Sequence, residues 1–226
     1  MAIATVIEAN IERVKQRIIS ACQRVGRSPD KVTLVAVTKT VDPSAIATAF
    51  KLGIRHFGEN RVQEAVEKIE QLSGLKPHPT WHMVGHLQSN KAKVAVEIFD
   101  IIHSIDSVRL AEVISRRTQK TLPILLEINV SGEASKTGFS IAEVEPALEA
   151  ITCLPRLEIK GLMTIAPMVT DAEQVRPIFH RLCSLRDSFG LEHLSMGMTD
   201  DFEVAIEEGA TLVRIGRAIF GEREAK

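Results

Sequence analysis

Apolar residues follow two different periods, which alternate from the beginning of the chain to its end. The opening segment has an apolar residue at every third or fourth position, namely Ile3, Ile7, Ile11, Val14, Ile18, Cys22 and Val25. This spacing predicts an amphipathic helix of about six turns, and Gly26 is suited to end it. Residues 32–37 are instead apolar at five of six positions. Such a continuous run, rich in β-branched residues, predicts a strand buried on both faces of a parallel sheet.

The two patterns repeat through the rest of the chain. Further strands are predicted at residues 55–58, 81–85, 98–105, 122–130, 159–166, 194–196 and 212–215. Helices are predicted at residues 43–52, 59–72, 107–118, 141–154, 171–189 (with a kink or break at Pro177) and 199–208. Residues 86–90 lead into one more helix, whose first turns carry Lys91 and Lys93. Eight strands, each followed by a helix or helical turn, predict an α/β fold, a TIM (β/α)8 barrel with one extra N-terminal helix. Because no internal linker interrupts the pattern, residues 1–226 are expected to form a single domain.

Composition removes several classes of function. The 28 basic and 29 acidic residues give a net charge of −1, which offers no electrostatic basis for nucleic-acid binding. No apolar run approaches the ~20 residues that a membrane-spanning helix needs, and Glu8 comes too early for a secretory signal. The cysteines, Cys22, Cys153 and Cys183, are odd in number and far apart, which argues against disulfides and favours buried thiols. We therefore expect a cytoplasmic protein that binds neither membranes nor nucleic acid.

Lys39 stands at the carboxyl end of the first predicted strand, and Thr40, Asp42 and Pro43 indicate a turn into a helix. In parallel barrels the carboxyl ends of the strands surround the ligand site. Partial removal from water there favours the neutral, nucleophilic form of a lysine amine. Schiff-base formation with a carbonyl compound requires such an amine. The alternative is a lysine that extends from the strand end into solvent and has no chemical role.

The loops after the last two predicted strands suit an anion. The first contains Gly197, which lets the backbone approach a ligand, and Thr199, which is expected to cap the following helix. The second has Gly216 at the start of a helix, between Arg214 and Arg217. Capping alone would explain either loop, but phosphates often bind after strands seven and eight of such barrels. A phosphate site together with a Schiff-base lysine is the outline of a pyridoxal phosphate site.

Motifs along nearly the whole chain match a known family. The matching segments are Val37-Thr-Lys39, His56-Phe-Gly-Glu-Asn-Arg-Val-Gln-Glu64, Trp81-His-Met-Val-Gly-His-Leu-Gln-Ser-Asn-Lys91, Asn129-Val-Ser-Gly-Glu133, Lys136-Thr-Gly138, Gly161-Leu-Met163, Leu194-Ser-Met-Gly-Met-Thr199, Arg214-Ile-Gly216 and Phe220-Gly221. These segments resemble the pyridoxal phosphate homeostasis proteins, single-domain barrels similar to the N-terminal domain of alanine racemase. One departure is Thr199, where a serine is more usual, and its hydroxyl can do the same work.

The resemblance implies that pyridoxal 5'-phosphate is the cofactor and that Lys39 carries it as an aldimine. It implies that the phosphate is held by Ser195, Gly197, Met198, Thr199, Gly216 and Arg217. Arg214 resembles the arginine that faces the pyridine nitrogen in the racemase. Because an arginine does not readily give up a proton, the pyridine nitrogen stays unprotonated. The ring is then a weaker electron sink, which disfavours transaminase chemistry. Asn60 is expected on the side of the cofactor's hydroxyl.

The absence of tyrosine limits catalysis. Racemisation needs a second acid or base opposite the lysine, which alanine racemase obtains from a partner subunit's tyrosine and a second domain. The first hypothesis is therefore a monomeric, non-catalytic or barely catalytic protein of vitamin B6 and amino-acid homeostasis, which holds the cofactor and delivers it to apoenzymes. One alternative is a small pyridoxal-phosphate-dependent amino-acid racemase or eliminase that uses His82, His86 or Cys153 as the opposing base. Another is a phosphosugar aldolase or isomerase in which Lys39 attacks a sugar carbonyl.

Two further groups of polar residues have less specific interpretations. His82 and His86 have a spacing that suits a metal only on a helix, so hydrogen bonding near the ligand site is favoured and no metal site is predicted. Lys91, Lys93 and Lys136 are expected on a solvated face, with a second anion site as the alternative. Lys136 as a transient acceptor of the cofactor is a further hypothesis.

Overall fold

The chain folds as an opening helix followed by eight strand–helix units. The computed structural model describes residues 2–133 and 135–222, except for the side chains of residues 2 and 3. The strands are β1 (Thr33–Val37), β2 (His56–Glu59), β3 (Thr80–Met83), β4 (Ile101–Ile105), β5 (Leu122–Glu127), β6 (Leu157–Met163), β7 (His193–Ser195) and β8 (Leu212–Ile215). The helices are α1 (Ala2–Arg24), α2 (Pro43–Lys51), α3 (Val62–Gln71), α4 (Ala92–Ile98), α5 (Val108–Arg117), α6 (Val144–Thr152), α7 (Arg176–Ser188), α8 (Phe202–Glu207) and α9 (Arg217–Phe220). The parallel strands close in sequence order, with β8 beside β1. The predicted TIM barrel with an extra N-terminal helix is confirmed.

The barrel has a small apolar cluster in its interior and a larger apolar core between strands and helices. Side chains alternate between these two sides along each strand. Val35, Leu125, Met163 and Leu212 form the interior cluster, while residues such as Phe57 pack outward against the helices. The carboxyl ends of the strands form one end of the barrel, which we call the mouth.

Two predicted helices begin later than expected. Glu59 is the last residue of β2, so α3 begins at Val62 rather than at residue 59. α8 begins at Phe202, and its N-cap residue is Asp201 rather than Thr199. A longer strand and a longer loop therefore occupy positions where the apolar period alone predicted helix.

The predicted break at Pro177 lies before that residue. Residues Ala172–Val175 form a separate 3-10 turn, and Pro177 falls in the first turn of α7. A proline is tolerated there because the first amides of a helix have no intrahelical acceptor.

Helix α1 packs against the helices that follow the last two strands. Its predicted apolar face is buried from Ile7 onward, whereas Val25 lies beyond the helix and is 42% exposed. Asn10 donates to the carbonyl of Ile219 in α9 at 3.0 Å, and Arg17 pairs with Glu203 of α8 at 3.1 Å. The extra helix thus supports the side of the barrel that carries the two glycine loops.

The expectation of buried thiols is correct only for Cys22. Cys153, the C-cap residue of α6, is exposed, and Cys183 of α7 is partly exposed. All three are free thiols. Among residues 2–133 and 135–222, no helix combines the length and the apolar character needed to cross a bilayer.

Candidate functional site

Lys39 lies in the turn at the carboxyl end of β1, where it is partly buried. The backbone on both sides of it is held in place. The amide of Thr38 donates to the carbonyl of Gly58 at 2.9 Å, and the amide of Thr40 donates to the carboxylate of Glu64. Thr40 has a φ of 62°, an uncommon conformation for a β-branched residue. This strained turn fixes where the Lys39 side chain begins.

A buried ionic cluster lies beside this turn. Lys68 of α3 donates to the carbonyl of Thr38 at 2.5 Å and to the carboxylates of Glu59 at 2.8 Å and Glu64 at 2.6 Å. Thr38 Oγ1 also donates to Glu59 at 2.6 Å. Burial raises the pKa of Glu59, while its hydrogen bonds to Lys68 and Thr38 oppose that shift. The second carboxyl oxygen of Glu59 has no hydrogen-bond partner within the described parts of the chain.

The loops after β7 and β8 lie side by side, as the sequence predicted. The amide of Arg214 donates to the carbonyl of Gly197 at 3.0 Å. Gly197 has a φ of +91°, and a Cβ there would approach the Cβ of Ala205 to 2.6 Å. Only a glycine fits this close turn without strain.

These loops present hydrogen-bond donors. Outside helices and strands of the described residues, no backbone hydrogen bond uses the amides of Thr199, Gly216 or Arg217. Gly216 is the N-cap residue of α9, as predicted. The amide of Met198, in contrast, donates to the carboxylate of Asp201 at 2.6 Å. The Arg217 guanidinium is exposed and pairs with Asp200.

Arg214 and Ser195 meet inside the barrel. Arg214 Nη1 donates to Ser195 Oγ at 2.5 Å, and Nη2 donates to the carbonyl of Thr164 at 2.8 Å. Burial lowers the pKa of Arg214 to about 10, against the opposing charges of Asp201 and Glu127. The Ser195 hydroxyl is therefore already bonded in the barrel interior, while its backbone leads into the Gly197 turn.

His82 lies in the barrel interior and not near the mouth, where hydrogen bonding was expected. It is 2% exposed, because the alternation of β3 directs it inward. His86 is exposed on the mouth side, and its Nδ1 lies 3.0 Å from Asp106. Within the described residues, no three histidine, cysteine or acidic side chains are arranged to hold a metal.

Sequence reasoning missed the buried Lys68, described above, and two buried polar residues of the strands. Glu127, at the end of β5, accepts a hydrogen bond from Thr137 at 2.8 Å, and burial raises its pKa. His103 of β4 is completely buried. In both cases a polar residue inside an otherwise apolar strand was the available signal.

Asn60 lies directly after β2 and packs against the end of β3. A Cβ on Gly85 would come within 2.5 Å of the Asn60 carbonyl oxygen. A cavity of about 450 Å³ beside it is lined by residues that include Asn60, Arg61, His86 and Lys91. Lys136 lies elsewhere and pairs with Glu133 at 2.6 Å.

The fold and the site together define a class: a (β/α)8 barrel with a lysine after its first strand and adjoining glycine loops after its last two. The family described as alanine racemase, N-terminal domain, matches residues 6–224. The pyridoxal phosphate homeostasis protein of Aquifex aeolicus is 43% identical over 223 residues, which cover 95% of this chain and 97% of that protein. The chain belongs to this family and, within it, to the pyridoxal phosphate homeostasis proteins, as its motifs indicated.

Two solved structures are similar over nearly their whole length. An unknown protein from Bifidobacterium adolescentis has a TM-score of 0.90 at 40% identity, covering 97% of this chain and 96% of that one. PipY of Synechococcus elongatus PCC7942, solved with pyridoxal phosphate bound, has a TM-score of 0.80 at 37% identity, covering 92% of this chain and 100% of that one.

Proposed function

We propose that this protein binds pyridoxal 5'-phosphate at the barrel mouth, linked to Lys39 as a Schiff base, and holds it without robust catalysis. The observation that carries the proposal is the position of Lys39. It lies in the turn after β1, which the hydrogen bond from Thr40 to Glu64 holds in place, and β1 pairs with β8, whose loop offers hydrogen-bond donors to an anion. PipY, a relative at 37% identity, was solved with this cofactor bound. The relative from Aquifex aeolicus, at 43% identity, is named a pyridoxal phosphate homeostasis protein.

The residues present fit such a ligand. The amides and hydroxyl of the Gly197 and Gly216 loops, including Thr199, suit a phosphate, and Arg217 adds a positive charge. Arg214 is a fixed donor that suits an unprotonated ring nitrogen. When bound, pyridoxal phosphate would supply an aldehyde carbon, and the Lys39 amine is the group that would form a C=N bond with it, with release of water.

The positions of the possible opposing bases support a non-catalytic role. His82 is buried inside the barrel. Cys153 is the C-cap residue of α6, which precedes the N-terminal end of β6, so it lies at the end of the barrel opposite the mouth. Neither residue is placed to exchange a proton with a substrate bound beside Lys39.

The experiment is an absorption spectrum of the purified protein with pyridoxal phosphate, before and after borohydride reduction, with mass mapping of the reduced adduct. We expect a visible band and an adduct on Lys39, both absent in Lys39→Ala. As a control, Lys136→Ala should retain both. A colourless protein without an adduct would refute the proposal.

A small amino-acid racemase is the second candidate, and the pairing of His86 with Asp106 is the observation that favours it. A carboxylate on Nδ1 orients an imidazole for proton transfer. Solvent deuterium exchange at Cα of several amino acids separates the two functions. Exchange that disappears in His86→Ala supports the racemase, and no exchange by wild type rejects it.

We also infer that the protein acts as a single-domain monomer in the cytoplasm and delivers the cofactor to apoenzymes. Light scattering tests the oligomeric state. Transfer of activity to a purified apoenzyme of this cofactor class, measured against equal free cofactor, tests delivery, and Lys136→Ala tests whether that lysine accepts the cofactor on the way.

A further inference from the structure

A line of hydrogen bonds crosses the barrel interior. His56 Nδ1 of β2 lies 3.0 Å from His82 Nε2 of β3, and His82 Nδ1 lies 2.8 Å from His103 Nε2 of β4. His103 Nδ1 lies 2.8 Å from Ser195 Oγ on β7, which Arg214 of β8 also contacts. The rings are inclined to each other by 58° and 75°, so they meet through their nitrogens and are not stacked. We call His56, His82 and His103 the histidine chain.

Arg214 determines the direction of these hydrogen bonds. A guanidinium only donates, so Ser195 Oγ must accept from Arg214. Within the described residues, the other hydrogen-bond partner of that hydroxyl is His103 Nδ1, which therefore accepts the hydroxyl proton. His103 then carries its own proton on Nε2 and donates it to His82 Nδ1. By the same reasoning His82 donates from Nε2 to His56 Nδ1, so that the ring nitrogens of His82 and His103 and the Ser195 hydroxyl are all paired.

The opposite direction leaves one group unpaired. If the histidines donated toward Ser195, its oxygen would receive two donors and its proton would have no acceptor. Ser195 and His103 are both 0% exposed, so water cannot reach that proton. An unpaired buried donor is costly, which favours the first arrangement.

The histidine chain is also neutral. Burial lowers the pKa of His82 to about 3 and places the pKa of His103 well below its ordinary value. Each neutral ring has one donor nitrogen and one acceptor nitrogen, as the assigned direction requires.

We propose that the histidine chain sets the orientation of the Ser195 hydroxyl and thereby holds the Arg214 guanidinium in place inside the barrel. The three histidines are positioning residues that act through Ser195. The identity of the ligand that Arg214 meets rests on the proposed function. The direction of the hydrogen bonds in the histidine chain does not rest on it, because that direction is a property of the ligand-free protein.

The first test is long-range proton–nitrogen NMR of the ligand-free, ¹⁵N-labelled protein. We expect neutral Nε2–H tautomers at His56, His82 and His103 at pH 7.5, with the exposed His78 as an assignment control. A proton on Nδ1 of His103, or a charged ring at His82, overturns the proposal.

Two variants test the coupling. His82→Gln keeps one acceptor and one donor at similar separation, so His103 should keep its Nε2–H tautomer. His82→Leu removes the acceptor of that proton, so the Nε2–H of His103 should lose its hydrogen bond and its proton resonance should move upfield. Slow rotation of the Arg214 guanidinium in the same spectra should persist in the glutamine variant and be lost in the leucine variant. Identical spectra for the two variants overturn the proposal.

Cofactor affinity is the second readout. We expect roughly tenfold weaker binding of pyridoxal phosphate by His82→Leu, as for a lost buried hydrogen bond, and affinity within about twofold of wild type for His82→Gln. His193→Gln, a partly buried barrel histidine outside the chain, is the matched control and should bind like wild type. If the wild-type protein does not bind the cofactor, the proposed function is refuted. The histidine tautomers of the ligand-free protein still test the direction of the hydrogen bonds in the histidine chain.

Discussion

Lys68 Nζ lies 2.5 Å from the carbonyl oxygen of Thr38, the residue before Lys39. The contact joins helix α3 to the turn that carries the proposed cofactor lysine. Lys68 also pairs with Glu59, and both side chains are almost completely buried. The position of Lys39 therefore depends on a charge cluster outside the mouth.

Replacing Lys68 should destabilise the protein and weaken cofactor binding. Lys68→Met leaves the Glu59 carboxylate buried without its cation, which should lower the free energy of unfolding by roughly 3 kcal/mol. Denaturant unfolding measures this, and the visible band of the cofactor complex reports on Lys39. The double variant Lys68→Met, Glu59→Leu should regain much of the stability and none of the affinity. Equal affinity in wild type and both variants would contradict a positioning role.

Gly197→Ala should disrupt the turn after β7 through both strain and overlap. The glycine has a φ of +91°, and the new Cβ would lie 2.6 Å from the Cβ of Ala205. We expect a loss of roughly 3 kcal/mol in the free energy of unfolding, together with weaker phosphate binding. Gly190→Ala is the matched control, because its φ is +62° but its Cβ would contact nothing within 4 Å. That control should lose only about 1 kcal/mol, and equal losses would refute the overlap.

The hydroxyl of Thr199 should contribute to phosphate binding. Thr199→Ser retains the hydroxyl and should bind pyridoxal phosphate within about twofold of wild type, whereas Thr199→Ala should bind roughly fivefold more weakly. Equilibrium dialysis measures both affinities. If alanine binds as tightly as serine, backbone amides alone hold the anion at this loop.

Acid should destabilise the fold through the buried histidines. Folding lowers the pKa of His82 to about 3, so below about pH 6.5 the unfolded chain binds a proton that the folded protein excludes. The contribution of neutral His82 to the free energy of unfolding is complete above pH 6.5 and is lost as the pH falls toward 3. His82→Gln should therefore show a slope shallower by about 1.4 kcal/mol per pH unit between pH 6 and 4. The difference between the two proteins cancels the opposing effect of Glu59 and Glu127, whose pKa values are raised. Parallel slopes would contradict a neutral His82.

The sequence by itself determined the barrel, its extra helix and the order of residues along it. The reason is that apolar periods of two kinds and glycines at turns act over a few neighbouring residues, and parallel strands in a closed barrel bring their ends together in chain order. Lys39, Gly197 and Gly216 were therefore placed correctly at the ends of their strands. Helix beginnings were less certain, as Glu59 and Thr199 illustrate, because caps compete with neighbouring strands and turns.

Only the tertiary structure decided which polar residues meet. His103 and Ser195 are 92 positions apart and touch because strands β4 and β7 face each other across the closed barrel. Whether Ser195 turns toward a ligand or toward Arg214 depends on that closure, on the alternation of each strand and on the burial that requires every donor to find an acceptor. No local pattern contains this information, since it arises from pairing between distant strands.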